Sequence, residues 1–476
     1  MSVSLADGAS PAALDPLDRD TLREIGGDPC AVAACQRRMV AFRELKPHKL
    51  NLNADEDDPD ALAELMASAV MANVRELEFC VEDDPSPVAA LADSDCRPTD
   101  LFLSGNAFPP KLLRALFDSP VVRDLRSLSV SGYSGNLNGV VAELAKSTIL
   151  RGLVELDLGF NRVTAAEMRA LAAWPGLETV RRLTLTSGEV SDAGVVALAG
   201  SPLAANLEEL ELFGEKLTDE AVVAIARSPH LKNLKRLSLC KVGMTGRGLR
   251  AVAASETLSG LVDLDISLTP LPADGLGVLA ASATLGGLKR LGLRGLKPNN
   301  EAFAALMQSP VLTGVETLDL QAAQLNGPKL NALIESPRLG SLRELTLGES
   351  GLPPAAMDAV FSAGWLRQLL ALAVYRNGVS DAGVKALAAN LPGGTLASLD
   401  LNHNDLTDGA ADALLAWPGL RQLTDLSLYP SPMSQPRMNE VARAAWEGET
   451  EGKTPCEGGH FGSSSVSHAR PNWFSS

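Results

Sequence analysis

Side chains that could do acid–base chemistry recur in this sequence at a fixed spacing. Asp157, Glu211, Asp265 and Asp319 each stand between two apolar residues, as in Leu156-Asp157-Leu158 and Leu210-Glu211-Leu212. A pair of carboxylates can serve as general acid and general base when both reach one substrate. The alternation around each of these acids makes it part of a short strand with one buried face. Asp157, Glu211 and Asp265 are therefore two or more strands apart, about 10 Å or more, and no pocket is implied. Other chemistry is scarcer still. The five histidines (His48, His230, His403, His460, His468) are scattered. Cys30 and Cys35 lack a second Cys/His pair nearby to complete a zinc site. There is no phosphate-binding Gly-rich loop, no H-E-x-x-H pair and no G-x-S-x-G elbow. The expectation is no catalytic residue, no metal, no cofactor and no enzyme activity.

Composition narrows the class. The chain has 476 residues, 46% hydrophobic and 21% charged, with Lys plus Arg 42 against Asp plus Glu 58, a formal charge of −16. Such a chain repels nucleic acid and anionic membrane unless it carries a local basic stripe, and the linear sequence shows none. No run of about 18 apolar residues occurs, so no transmembrane helix is expected. The first residues lack a basic region followed by an apolar one, which argues against a secretory signal. Six cysteines (Cys30, Cys35, Cys80, Cys96, Cys240, Cys456) make no disulfide framework and suit a reducing compartment. The expected location is cytoplasmic.

The elements that position the acids are set by an internal repeat. A Leu-x-Leu-like doublet begins at Leu50, Leu77, Leu101, Leu128, Leu156, Leu183, Leu210, Leu237, Leu264, Leu291, Leu318, Leu345, Leu372, Leu399 and Leu426, and from Leu156 onward every step is 27 residues. Each unit reads as strand, turn and helix. In one of them Leu207 to Leu212 is the strand, Thr218 is a helix N-cap, and Asp219 and Glu220 favour the positive end of the helix dipole. Ser228-Pro229 ends that helix. A single strand and helix must stack on neighbours to bury their apolar faces. The expected architecture is α/β: a curved right-handed horseshoe solenoid of about 15 strand–helix repeats, with a parallel concave sheet and convex helices.

Leu153 to Val163 and Leu396 to Leu406 follow the pattern L-x-x-L-x-L-x-x-N-x-L, and on these residues the chain resembles the leucine-rich repeat family. The 27-residue period with a full helix resembles its ribonuclease-inhibitor-like subclass, and the composition is similar to bacterial members. The resemblance implies a solenoid and leaves the partner open. The sequence departs from the family at the asparagine of the motif. Asn106, Asn161, Asn377 and Asn404 occupy that place, whereas Gly188, Glu215, Val242, Thr269, Ala323 and Ser350 stand there in other repeats. The backbone groups of those turns must be satisfied by other means.

The ends differ from the array. Residues 1–15 are expected to be disordered, and 16–48 read as a helical cap over the solenoid of 49–433. Residues 434–446 read as a capping helix and 447–476 as a disordered tail. The segment 16–48 is also similar to an F-box, through Pro16-Leu17, Leu22-Arg23-Glu24-Ile25 and Asp28-Pro29. That resemblance implies an alternative function, a substrate-recognition subunit of a ubiquitin-ligase-type complex whose residues 16–48 bind an adaptor.

Outward-facing strand positions are the remaining candidates. Glu155, Arg182, Glu209, Arg236, Asp263 and Arg290 alternate in sign and suit a cross-strand ion-pair ladder. Asp157, Glu211, Asp265 and Asp319 make the concave middle acidic, which suits a basic protein segment. Phe160 and Phe213 lie nearby, and Tyr375, Arg376, Asp400, Asn402, His403 and Tyr429 gather on three consecutive units near the C-terminal end. The reading is a monomeric scaffold that binds another protein, not nucleic acid or membrane.

Overall fold

The computed structural model describes residues 2–5, 47–53, 65–81, 85–105, 108–132, 137–186, 189–393 and 395–446. It divides into two compact units, Met1–Gly292 and Leu293–Ser476. In unit 1 the strands are β1 (Ser2–Leu5), β2 (Pro47–Asn53), β3 (Glu76–Val81), β4 (Asp100–Gly105), β5 (Ser127–Ser131), β6 (Leu137–Asn138), β7 (Glu155–Asp157), β8 (Asn161–Arg162), β9 (Arg182–Thr186), β10 (Glu209–Phe213), β11 (Arg236–Cys240), β12 (Asp263–Asp265) and β13 (Arg290–Gly292). The parallel order is β2-β3-β4-β5-β7-β9-β10-β11-β12-β13, with β6 and β8 as a separate small pair. Unit 2 has β14 (Thr317–Asp319), β15 (Glu344–Thr346), β16 (Ala371–Ala373), β17 (Ser398–Asp400) and β18 (Asp425–Ser427), parallel in that order. The doublet leucines set the register: Leu183, Leu210, Leu237 and Leu264 are direct partners across β9 to β12, as Leu318, Leu345, Leu372, Leu399 and Leu426 are across β14 to β18. All of these leucines are buried. A slip of one residue would turn every one of them outward, so burial itself fixes the pairing.

Four of the described helices are tied to the next repeat by a first-turn aspartate. Asp192 accepts from the Thr218 backbone N–H (2.8 Å) and hydroxyl (2.6 Å), and Asp219 accepts in the same way from Thr245 and also from the Gly248 N–H (2.8 Å). Asp381 with Thr407 and Asp408 with Ser434 repeat the bond in unit 2. The N-cap threonine thus satisfies its own helix while the neighbouring carboxylate satisfies it. These hydrogen bonds hold the Asp219 carboxyl below its usual range although burial pushes the other way. A depressed native pKa contributes stability above the unfolded carboxylate range and loses it as pH falls through the native value. Asp219→Asn is therefore expected to lower the melting temperature at pH 7, and the gap from wild type should close in thermal scans at increasingly acidic pH.

The strand-entry connectors are held by a second ladder. Ser147, Ser201, Ser228, Ser255 and Ser282 donate to carbonyls of the preceding repeat, those of Phe117, Ala172, Ala199, Ala226 and Ala253. Their oxygens also accept backbone N–H groups two or three residues on. Trp174 takes the serine's place in one repeat and donates its indole N–H to the Ser147 carbonyl (3.3 Å).

The broken asparagine series is resolved locally. Asn161, Asn377 and Asn404 each bridge a carbonyl of the preceding repeat and one of their own turn. Where asparagine is missing, Thr269 donates within its own turn to the Ile266 carbonyl (2.6 Å) and Ser350 reaches the Leu320 carbonyl (3.5 Å). At the ends, Ser2–Leu5 pairs antiparallel with β2, although residues 1–15 are expected from sequence to be disordered. The open edge of a sheet pairs with any extended segment that reaches it. The helix Gln435–Trp446 lies where a C-terminal cap is expected. Residues 16–46, with the cap and F-box readings, and the tail 447–476 lie outside the described residues.

Candidate functional site

On unit 1 the alternating charges of the strand face close into two runs. Arg182 bonds Glu155, and Arg236 bonds both Glu209 (3.1 Å) and Asp263 (2.9 Å), with Arg290 at 3.9 Å from Asp263. Asp263 is buried, and burial raises its carboxyl pKa despite the two arginines, which act the other way. This row is self-neutralised.

Four of the acids inside the doublets also close local turns. Asp157, Asp265, Asp319 and Asp400 each accept the backbone N–H two residues on, at 2.8–2.9 Å. These are Asx turns that end the three-residue strands β7, β12, β14 and β17. One oxygen of each acid therefore closes its own turn, and Asp265 and Asp319 are buried. Asp157, Glu211 and Asp265 stand on β7, β10 and β12, with β9 and β11 between them. Glu211 is half-buried, and its pKa is raised first by burial and then by the charge of Asp157. A raised native carboxylate pKa opposes folding increasingly as pH climbs from the unfolded value through the native one. Glu211→Gln should accordingly melt above wild type at pH 7, by under about 1 kcal/mol, and match it below the ordinary carboxylate range.

Beyond several of the doublets the chain leaves the strand through a left-handed non-glycine residue. In unit 1 these are Phe160, Lys241 and Leu268 (φ 56°, 57° and 57°), and in unit 2 Ala322, Glu349, Arg376 and His403 (φ 55°, 57°, 52° and 55°). The conformation costs a non-glycine residue roughly 1–2 kcal/mol. At Phe160, Lys241, Ala322, Glu349, Arg376 and His403 it is held by an N–H bond to a carbonyl of the next repeat, as from Phe160 to Thr186 (3.0 Å) and Lys241 to Ser267 (2.9 Å). The turn presents its side chain outward: Phe160 is 61% exposed and Leu268 43%. Phe213 lies partly covered, with the Lys241 ammonium 5.6 Å from its ring centre.

On unit 2 the structure brings Tyr375, Arg376, Asp400 and His403 together. The Tyr375 ring lies across Gly348, where a Cβ would meet its Cδ1 at 2.8 Å. Burial, then Glu349, pushes the phenol up to about 12; Arg294, Asp319 and Asp400 are also within its electrostatic reach. Arg376 bonds Glu349 (2.9 Å), which also accepts from Gln321 (3.1 Å). Asp400 is raised by burial and by Asp425. Asn402 leaves its buried side-chain oxygen without a hydrogen-bond partner. Tyr429, just past β18, is 60% exposed. Sequence reasoning finds the tyrosines but misses Gln321, Gly348 and Glu349. The signal was present, since Arg294, Gln321, Gly348 and Tyr375 occupy one repeat position in successive units.

Among the described residues, no group of three His, Cys, Asp or Glu side chains is placed to hold a metal ion, and no helix is long and apolar enough to cross a membrane. Cys80, Cys96 and Cys240 form no disulfide. One expectation is corrected. The sequence shows no basic stripe, yet the strand-entry edge of unit 1 aligns Arg75, Arg126, Arg181, Lys235 and Lys289, because residues two repeats apart in sequence are two strands apart in space.

Residues 395–415 match the model of the leucine-rich repeat. Comparison with curated proteins returns no match. Among solved structures, an internalin from Listeria monocytogenes is similar at 17% identity and TM-score 0.39, over 70% of this chain and 80% of that one. The Rad7 and Elc1 complex of yeast is similar at 14% identity and TM-score 0.43, over 78% and 84%. A leucine-rich repeat protein of Leptospira interrogans is similar at 16% identity and TM-score 0.33, over 85% and 90%.

Proposed function

We propose that this leucine-rich repeat solenoid is a non-enzymatic scaffold that binds another protein on its exposed strand face. The observation that carries the reading is Phe160, a large apolar ring 61% exposed at the tip of a left-handed turn. Exposure forgoes the gain from burying a phenylalanine, about 1.5–3 kcal/mol. The backbone bond to Thr186 holds the residue in place, so its ring is presented from a rigid base. Aromatic anchors of this kind dominate protein interfaces. Asp157 on β7 and Glu211 and Phe213 on β10, two strands away, belong to the same sheet, and the charge of the two acids suits a partner segment with Lys or Arg. Tyr375, Arg376, Asp400, His403 and Tyr429 form the corresponding surface of unit 2, with Asp319 beneath it.

Benzoylphenylalanine placed at position 160, at 213 and, as a control, at the helix position 169 tests the reading by photo-crosslinking in native lysate. The same adduct at 160 and 213, absent at 169, is the expected result. Phe160→Ser should then weaken binding of that partner by at least about tenfold, the scale of an aromatic anchor. Adducts shared with position 169, or none, would remove the strand face of unit 1 from consideration.

A further inference from the structure

The two layers of unit 2 end differently. The last helix, Gln435–Trp446, buries Met438, Val441 and Ala445 and turns Glu440 and Arg443 to solvent. A polar outer face of this kind suits a terminal repeat. The sheet has no such finish. β18 is the last strand of the order, and among the described residues nothing pairs with its far side.

The backbone shows what is left open. The carbonyls of Glu316, Arg343, Leu370 and Ala397, each two residues before a strand leucine, accept two N–H groups from the next strand at 2.7–3.1 Å. Thr424 holds that place in β18, and among the described residues its carbonyl accepts none. Neighbouring residues of a strand send their backbone groups to opposite sides. Asp425 donates to the Ala397 carbonyl and Ser427 accepts from the Leu401 N–H (2.9 Å), so both face β17. Leu426, between them, directs its N–H and carbonyl to the far side. The leucines at this edge are also less covered: Leu426 is 7% and Leu428 8% exposed, against 0% for Leu399 and Leu401. A sheet edge takes up extended segments. In unit 1 the edge strand β2 pairs with Ser2–Leu5, whose residues alternate between polar and apolar.

Side chains define the segment that fits β18. On the strand face Asp425 is exposed, with one oxygen on the Ser398 hydroxyl (3.0 Å). Its charge also acts on Asp400, whose carboxyl is raised by burial and further by Asp425. In unit 1 the same row places Arg236 between Glu209 and Asp263, bonded to both. We propose that the β18 edge docks an extended segment of another protein, parallel to β18, that reads cation, apolar, polar, apolar. The cation pairs with Asp425 across the strands. The two apolar residues continue the columns of Leu426 and Leu428, and Tyr429, 60% exposed, flanks the end. Strands of this chain that begin with a cation, such as Arg236-Leu237-Ser238-Leu239, have the same pattern. The edge belongs to unit 2 and stands or falls without the Phe160 face of unit 1.

Fluorescence anisotropy with the labelled peptide Thr-Arg-Leu-Ser-Leu-Thr tests the proposal, with a peptide carrying Glu in place of Arg as the second probe. The Arg peptide should bind at least about tenfold more tightly than the Glu peptide. N-methylation of its serine, whose N–H faces the Leu426 carbonyl, should weaken binding about tenfold or more. N-methylation of its first leucine, whose N–H faces away, should weaken it less than about twofold. Asp425→Lys should reverse the preference between the peptides, whereas Glu335→Lys, the same charge change on an exposed helix end, should leave it unchanged. By hydrogen exchange the Leu426 amide should be fast in the free chain and slowed by the Arg peptide. Equal effects of the two methylations, equal binding of the two peptides, or no binding by wild type would overturn the proposal. A Leu426 amide already protected in the free chain would also overturn it and assign the edge to the chain itself: to a second copy where protection falls on dilution, and to a segment of the same chain where it does not.

Discussion

Gly176→Ala is expected to destabilise unit 1 by about 3–5 kcal/mol, as much as truncating a buried tryptophan. Trp174 is buried and folds its indole back over the Cα of Gly176. A Cβ at position 176 would fall inside that indole and 2.5 Å from the Leu150 carbonyl oxygen. The carbonyl belongs to backbone and cannot swing aside, so the ring must leave. Its departure exposes apolar surface and breaks the indole N–H bond to Ser147. Against this, alanine restricts the unfolded chain more than glycine, which favours folding by about 0.4–1 kcal/mol and does not offset the loss. Gly419→Ala should act alike in unit 2, because Trp417 lies across Gly419 and donates to the Leu391 carbonyl. Gly340→Ala is the control: a Cβ there meets nothing within 4 Å, and its effect should lie within about 0.5 kcal/mol of zero. Urea unfolding followed by tryptophan fluorescence separates the cases. A Gly176→Ala midpoint equal to that of Gly340→Ala would show that the indole has another place to pack.

The architecture was legible because one constraint repeats. Leucines at a fixed interval must lie side by side if each is to be buried, so the register of β9 to β12 could be read before any coordinates. The acids inside the doublets were legible as outward-facing, but the turns that four of them close were not. Asp157 and Asp400 look like free carboxylates in an alternating strand, yet the strand stops at each of them and one oxygen turns back to the N–H two residues on. Alternation predicts which way a side chain points and says nothing about where the strand ends. The edge cations were hidden for the opposite reason. Arg126, Arg181 and Lys235 are isolated in sequence and become neighbours only through stacking. The Tyr375 site was half legible: its aromatic residues are conspicuous in a chain with only three tyrosines, whereas its seat is the missing side chain of Gly348, marked in the sequence only by its register one repeat before Tyr375.

Ser228→Ala should cost about 1–3 kcal/mol although it deletes one oxygen, because that oxygen serves three buried backbone groups. Ser228 donates to the Ala199 carbonyl (2.5 Å) and accepts from the His230 and Leu231 N–H groups (3.1 and 3.3 Å). Alanine leaves all three without a partner where water has little access, since residue 228 is 3% exposed. Ser255 forms the same bonds one repeat on, to the Ala226 carbonyl and from the Leu258 N–H. In a solenoid the interface terms join nearest neighbours only. The loss in Ser228→Ala/Ser255→Ala should therefore differ from the sum of the single losses by more than about 0.5 kcal/mol, whereas Ser228→Ala/Ser147→Ala, three repeats apart, should be additive. Hydrogen exchange locates the effect: Leu231 and Leu234 should lose protection in Ser228→Ala while Leu101 and Leu103 in β4 keep theirs. Uniform loss across unit 1 would mean that the serine ladder stabilises the unit as one cooperative body rather than repeat by repeat.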